Sequence, residues 1–352
     1  MKVPVIVHIV YSGPGGTSDY VFNLIRGDKD HEFHHAIVFF GVEQCPDSLF
    51  QTARTVTDKL EIIQKAPGFD ADAYARLKGF LRSACANGVT LHVNSLIQPL
   101  SSRIPEGAKL IYVEHQANHL KSRKEILWSV LAQRKADVVV SLTESYQEEL
   151  KRKLRFLFKP AKNFIIPTGI DLDFYRTYRD YKGSSKIGMV SRINSLRDHD
   201  TLLRAFMEID HPTAELHIAG EGPLLDELRG RYNHPRIFFL GLLSAKEISD
   251  FLKSLDIYVH ASLGETSSLA LMQAQSAGLP IIASDVTGIN NFLNVKNALL
   301  VPSKETEPLK NAIGILMDDI SLRKKLGESS QDYANTNCDH IAMTKAYLKL
   351  FE

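Results

Sequence analysis

Short apolar runs rich in β-branched residues recur along the chain, with helix-length segments of mixed polarity between them. VPVIVHIVY at Val3, HHAIVFFG at His34, VTLHVNS at Val89, KLIYVEH at Lys109, DVVVSL at Asp137 and NFIIPTG at Asn163 make a first set. Strands that are apolar on both faces and separated by helices form a parallel sheet covered on both sides. A second set comes after it: KIGMVSRI at Lys186, AELHIAG at Ala214, RIFFLG at Arg236, DIYVHAS at Asp256, PIIASD at Pro280 and NALLVP at Asn297. Between the sets, DLDFYRTYRDYKGSS from Asp171 is polar and aromatic, with no helix or strand period. The pattern predicts an α/β chain of two Rossmann-like domains facing across a cleft, residues 1–172 and 186–338, joined by a linker at 173–185. The spacing of Ile341, Met343, Tyr347, Leu348 and Leu350 predicts a C-terminal helix over 339–352. Ligands of such sheets bind beyond the strand carboxyl ends, so the chemistry is expected there.

Composition narrows this little further. At 352 residues, 44% hydrophobic and 24% charged, the chain exceeds what one core serves. Forty-two basic against 41 acidic residues give a formal charge of +1, which offers no global attraction to nucleic acid. Cys45, Cys85 and Cys338 are odd in number and lack ligand spacing, so neither a disulfide framework nor a zinc site is expected, and a reduced cytoplasmic setting fits. No stretch approaches the roughly 20 apolar residues that cross a bilayer. The N-terminal MKVPVIVHIVYSG reads as a first strand, because glycines come after it where a signal peptide has a cleavage site.

Three constellations carry candidate chemistry. SGPGGTSDYVFNLI places Gly13, Gly15 and Gly16 in a turn, with Thr17 or Ser18 capping the next helix; it lacks the third glycine of a dinucleotide fingerprint and the GK[ST] of a P-loop. Arg192 ends a strand and Arg197 lies in the following loop, where two guanidiniums suit a diphosphate; singly, each is an ordinary loop charge. Gly220 and Gly222 thin the backbone after another strand. In GETSSLALMQAQSAGLP, Glu265 falls in a loop, Thr266, Ser267 and Ser268 at a helix N-terminus offer hydroxyl and N–H groups to a phosphate, and Gln273 lies about two turns along. The Asp-x-Asp triplets beginning at Asp28, Asp70, Asp171 and Asp198 arise easily by chance, and no metal is assigned to them. His92 ends a strand, where it is either a satisfied structural histidine or a weak acceptor contact.

Together these stretches resemble the retaining glycosyltransferases of family 4, which have the two-domain GT-B fold. Glu265, seven residues, Gln273 and then AQSAGLPIIASDVTG is similar to the family's Glu-x7-Glu motif, with Gln in place of the second Glu. SGPGGT, YVEHQ, IIPTGIDLDFY, SRINSLRDHDTLL and IAGEGPLLDEL resemble the family's other segments, with Arg197 where lysine is usual and Thr168 where asparagine is usual. The resemblance implies that Arg192, Arg197, Gly15 and Gly16 contact the donor diphosphate, with His115 and Glu265 at the reacting sugar and Gln273 at the ribose. It further implies a nucleotide diphosphate sugar as donor substrate, with no cofactor and no metal, and transfer of a hexose or N-acetylhexosamine to a saccharide or lipid-linked acceptor. Bacterial surface polysaccharide assembly is the expected setting. A nonenzymatic nucleotide-sugar binder and a nucleotide-sugar epimerase on the same fold are the alternatives. From Lys121 to Lys162, eleven Lys or Arg stand against five Asp or Glu. Within it, Lys151, Arg152, Lys153 and Arg155 interleave with apolar residues, either as a solvated helix or as an anionic-membrane contact on the inner face.

Overall fold

The computed structural model describes residues 3–13, 16–100, 103–115, 121–182, 186–265 and 267–351. They fall into two compact units, Met1–Gly169 with His340–Glu352, and Ile170–Asp339.

The first unit is a seven-stranded parallel sheet of β1 (Val5–Val10), β2 (His34–Gly41), β3 (Lys59–Gln64), β4 (Gly88–Leu91), β5 (Lys109–Glu114), β6 (Val138–Ser141) and β7 (Asn163–Ile165). Their order is β3-β2-β1-β4-β5-β6-β7. Side chains alternate between the two faces of a strand. Val5, Val7 and Ile9 of β1 enter one core with Leu77, Leu81 and Tyr112, while Val10 enters the other with Tyr20, Phe22 and Tyr347. The helix His340–Leu348 covers this second face: Met343, Tyr347 and nearby Leu350 are buried in its core, and Thr344 Oγ1 donates to Leu24 O at 2.7 Å. Gly27 permits the approach, because a Cβ there would lie 2.2 Å from Thr344 Oγ1. The C-terminal helix therefore completes the first unit's core. Strand β3 escapes the sequence pattern because KLEIIQ is an edge strand with one fully buried residue, Ile63.

The second unit holds β8 (Lys186–Val190), β9 (Glu215–Ala219), β10 (Ile237–Gly241), β11 (Ile257–His260), β12 (Ile281–Ser284) and β13 (Leu299–Val301), all parallel, in the order β10-β9-β8-β11-β12-β13. All six coincide with runs read as strands in the sequence. The segment expected as a linker differs: its described residues, 173–182, belong to this unit. The Arg179 guanidinium donates to the carbonyls of Leu252, Leu255 and Ala277, at or just past the ends of the helices Ala245–Ser254 and Leu269–Ser276. Carbonyls in the last turn of a helix lack the usual intrahelical donors; Leu252 O also takes the Leu255 N–H at 3.3 Å, and the arginine adds a donor to each of the three. Tyr181 Oη donates to Gly278 O at 3.1 Å, and the buried Arg323 returns a bond from Nη2 to Tyr181 O at 3.0 Å. The strap is fixed by polar side chains, which leave no hydrophobic period to read.

Candidate functional site

In the second sheet the strand order reverses between β8 and β11, and the loops leaving these two strands are stitched together. Asp198 N donates to Ala261 O at 3.1 Å and Leu263 N to Leu196 O at 3.0 Å. This pairing carries Arg197, from the loop after β8, onto Glu265, from the loop after β11. Arg197 Nη2 lies 2.7 Å from Glu265 Oε1, and Nη1 donates to Ser262 Oγ at 3.2 Å and to Gly264 O at 3.3 Å. His260 Nε2 also meets Glu265 Oε1, at 3.2 Å. The carboxylate therefore has two partners on one oxygen, in a pair whose side chains are only 17% and 10% exposed. Arg197 Nε is buried and has no partner among the described residues.

Arg192 lies on the same edge in a different environment. It is exposed, at the end of a segment that borders β9: Ser191 N donates to Ala219 O at 3.0 Å and Ile193 N to Glu221 O at 2.9 Å. Gly220, at φ +139°, makes this approach possible, since a Cβ there would sit 1.9 Å from Ser191 O. The backbone of Gly222 meets Ile193 O in the same way. The thinned backbone serves protein packing that presents Arg192. The two arginines were expected as an equivalent clamp; the structure brings both to one edge but commits the Nη atoms of Arg197 to Glu265, Ser262 and Gly264.

Beneath this edge lie polar groups that the sequence reading missed. Tyr258 Oη donates to Val190 O at 3.2 Å, and His199 Nε2 is 2.9 Å from Ser191 Oγ. Burial, then the nearby Arg197 and His260, push the His199 pKa down to about 4. Burial also lowers that of His260, outweighing Glu265. Both imidazoles are neutral at pH 7. The available signal was Tyr258 and His260 two residues apart, hence on one face of a strand otherwise apolar.

Ser268 caps the helix Leu269–Ser276 by accepting from Leu271 N at 3.3 Å, so its oxygen is engaged within the protein. Ser267 is partly exposed, and Thr266, Pro14 and Gly15 lie outside the described residues. Gln273, on the same helix, donates from Nε2 to Tyr175 Oη at 3.0 Å. In the first unit the helix Gly16–Arg26 already includes Gly16, Thr17 and Ser18, so neither hydroxyl residue is its cap. Gly13 packs against Glu43 and Tyr11, where a Cβ would meet Glu43 Oε2 at 2.2 Å.

His92 lies just past β4 and His115 just past β5, which are neighbours, and the rings meet with His92 Nδ1 2.8 Å from His115 Nε2. The sequence reading assigned them separate tasks. Burial pushes the His115 pKa down to about 4 and lowers that of His92 well below the usual imidazole value, His115 and His8 adding to the effect. Next to them the buried Glu114 pairs with Lys121, whose side chain is fully buried, so Lys121 is not part of a basic surface. The first residue of each Asp-x-Asp triplet is a structural acceptor: Asp28 for Glu32 N and Phe33 N, Asp70 for Ala73 N, Asp171 for Phe174 N and Asp198 for Thr201 Oγ1 and Lys304 N. Among the described residues no group of three or more His, Cys, Asp or Glu is placed to hold a metal ion.

In the basic stretch, the helix Glu144–Leu154 buries Leu150 and Leu154 with Phe158 against Ile126 and Val130, which accounts for the interleaved apolar residues. Lys151, Arg152, Lys153 and Arg155 are exposed around Phe156, itself 90% exposed. No helix among the described residues is long and apolar enough to cross a membrane.

Two family models divide the chain between them. Residues 14–174 match Glycosyltransferase Family 4, and residues 184–319 match Glycosyl transferases group 1. The chain's two halves are glycosyltransferase domains of these two kinds. An uncharacterized glycosyltransferase of Methanocaldococcus jannaschii is 25% identical over 270 residues, covering 69% of this chain and 68% of its own. The Escherichia coli UDP-Gal:alpha-D-GlcNAc-diphosphoundecaprenol alpha-1,3-galactosyltransferase is 34% identical over 184 residues, and the match spans less than half of either protein, 46% of each. Among solved structures, Anabaena HepE in complex with UDP-glucose superposes with a TM-score of 0.83 at 16% identity, covering 98% of both chains. The fold of this glycosyltransferase is therefore GT-B, with its two parallel-sheet Rossmann-like units.

Proposed function

We propose that this glycosyltransferase moves a hexose or N-acetylhexosamine from a UDP- or GDP-sugar to a saccharide or lipid-linked acceptor, with retention at the anomeric carbon. The observation that carries the reading is the Arg197–Glu265–His260 constellation beside Arg192 at the reversal point of the second sheet, where doubly wound folds bind nucleotides. In this reading Arg192 meets the donor diphosphate. Arg197, with Gly15, Gly16, Thr266, Ser267 and Ser268, completes the diphosphate contacts. Glu265, oriented by Arg197 and His260, accepts from the donor sugar's hydroxyls, and His115 also belongs to that sugar. Gln273 serves the ribose through its carbonyl while its amide holds Tyr175.

Charge grows on the leaving diphosphate as the sugar bond breaks, and fixed guanidiniums stabilise it without reorganisation. A departing phosphate oxygen takes the acceptor's proton, so no strong protein base is needed. With cations already in place, the reaction as proposed uses no metal. That HepE was crystallised with UDP-glucose, and that the E. coli relative is named for UDP-galactose and a diphosphoundecaprenol-linked acceptor, supports a UDP donor and a lipid-linked acceptor in surface polysaccharide assembly. Anchoring at the cytoplasmic membrane surface, through Lys151, Arg152, Lys153 and Arg155 with Phe156, fits such an acceptor.

The test is a thermal-shift screen of UDP- and GDP-sugars followed by a transfer assay with the stabilising donor, since a ligand that binds the folded state raises its melting point. Arg192→Ala is expected to lower kcat/KM by at least about tenfold, the loss of one charge-assisted bond. Donor conversion without any acceptor selects an epimerase instead, and binding without turnover selects a sugar-nucleotide binder.

A further inference from the structure

Five polar atoms buried on the helix-covered face of the first sheet have no hydrogen-bond partner among the described residues: His8 Nδ1, Tyr20 Oη, Thr90 Oγ1, His92 Nε2 and Tyr347 Oη. They are neighbours. Thr90 stands opposite His8 in the β1–β4 register, the His8 and His92 ring centroids are 5.9 Å apart, and Tyr20 is 5.7 Å from His92 and 5.0 Å from His115. Each unsatisfied group costs about 1–3 kcal/mol. Internal water, which takes two to four polar partners, satisfies such a cluster.

On either side of it run two chains of direct contacts. Asp28 Oδ2 meets His35 Nε2 at 3.1 Å, and His35 Nδ1 meets His8 Nε2 at 3.1 Å. Beyond the cluster, His92 Nδ1 meets His115 Nε2 at 2.8 Å. The strand order explains the alignment, because β2, β1, β4 and β5 are successive neighbours and carry, within or just beyond their ends, His35, His8, His92 and His115. The two nitrogens of an imidazole diverge, so His8, bonded towards β2 through Nε2, turns Nδ1 towards β4. His92, bonded to His115 through Nδ1, turns Nε2 away from it.

We propose that a bound water between His8 Nδ1 and His92 Nε2 joins these chains into one hydrogen-bond relay from Asp28 to His115, and that the relay fixes which nitrogen of His115 carries its proton. The carboxylate sets the direction. Burial raises the pKa of Asp28, but the bond from His35 and those from two backbone N–H groups outweigh it and hold the carboxyl below its usual range; an ionised carboxylate accepts and never donates. His35 therefore carries its proton on Nε2 and leaves Nδ1 to accept from His8 Nε2–H. The water gives one proton to His8 Nδ1 and the other to Thr90 Oγ1, and so accepts from His92 Nε2–H. His92 Nδ1 then accepts from His115 Nε2–H, and His115 presents a bare Nδ1 that accepts from a ligand hydroxyl. Asp28, His35, His8 and His92 are thus positioning residues for His115.

The spectroscopic test needs no assumption about function; its activity arm rests on the placement of His115 at the donor sugar. In 15N-histidine-labelled full-length protein at neutral pH, two-bond proton–nitrogen spectra should show His8, His35, His92 and His115 each as a single Nε2-protonated tautomer. In His8→Phe, and separately in Asp28→Asn should the first fail to fold, the His115 nitrogen shifts should move to values averaged between tautomers. A proton on His115 Nδ1 in the parent, or shifts unchanged in the folded variants, overturns the proposal. A crystal structure with no water density between His8 and His92 does so too. With the relay broken, kcat/KM for the donor should fall roughly twofold to tenfold, the range of one neutral hydrogen bond, while bare nucleoside diphosphate binds unchanged. Spectra as expected with kcat/KM unmoved would leave the relay standing and remove His115 from the sugar.

Discussion

Replacing Glu265 by Gln keeps the shape of the side chain and removes its charge. The carboxylate oxygen that accepts from Arg197 Nη2 at 2.7 Å and from His260 Nε2 at 3.2 Å becomes an amide oxygen at best, and a repulsive NH2 at worst. One charge-assisted bond is worth about 1.5–3 kcal/mol. With the two side chains only 17% and 10% exposed, solvent recovers little of it. That loss should lower the melting point of the second unit by on the order of 3–12 °C. If Glu265 also holds the reacting sugar, kcat should fall by at least about tenfold, since the lost interaction is made in the transition state. Affinity for the bare nucleoside diphosphate should stay within about threefold, because Arg197 keeps its charge. The variants Glu265→Gln, Arg197→Gln and the pair, measured by melting, turnover and calorimetry, form a double-mutant cycle. Groups in direct contact should couple by roughly 1–3 kcal/mol. Effects that add to within about 0.5 kcal/mol would refute the claim that the two side chains work as one unit.

Gln273→Glu should tighten nucleotide binding by roughly 1 kcal/mol in calorimetry, since the carboxylate can take Tyr175 Oη–H on one oxygen and a ribose hydroxyl on the other; unchanged affinity would remove residue 273 from the ribose. Changing Lys151, Arg152, Lys153 and Arg155 to Ser should weaken binding to anionic vesicles by an amount that shrinks as salt rises, and Phe156→Ser should weaken it at all salt concentrations; a parent protein that does not bind vesicles ends the membrane reading. Stability should fall as pH drops from about 6.5 towards 4, because the folded pKa of His115 and of His199 is about 4 and the unfolded chain takes up protons first. Each contributes on the order of 1 kcal/mol per pH unit in that window and nothing above it, and a flat denaturation midpoint between about pH 6.5 and 5 would contradict this.

The inner strands of both sheets were legible because burial on two faces leaves an unbroken apolar run; the edge strands β7, β10 and β13 keep short apolar runs, whereas in β3 Lys59, Glu61 and Gln64 interrupt the run. The same logic explains the misplaced linker. Residues 173–182 are held by Arg179, Tyr181 and Arg323 bonding to backbone carbonyls, and a carbonyl has no sequence signature. The candidate site divides along similar lines. Arg192, Arg197 and Glu265 were singled out because loops after strands are short and their polar residues conspicuous, and Gln273, on the helix Leu269–Ser276, by its spacing from Glu265. Their coupling was invisible: Arg197 and Glu265 are far apart in sequence and meet only because two loops pair by backbone hydrogen bonds.

The histidines show what an apolar pattern conceals. His8, His35, His199 and His260 lie in or beside strands or in a helix, and a reading that counts apolar positions passes over each as one interruption in an otherwise buried run. Yet a buried imidazole cannot be neutral filler. Both nitrogens require partners, and neutrality allows it one donor and one acceptor, so each ring constrains the next. Spacing of two residues within a strand, or equivalent positions on strands that become neighbours, turns separate interruptions into a line. The order β2-β1-β4-β5 is itself a consequence of double winding, which places the first strand between the second and the fourth. Once that order is known, His35, His8, His92 and His115 can be aligned on one face, with Asp28 bonded to the first of them and His115 at the carboxyl edge of β5.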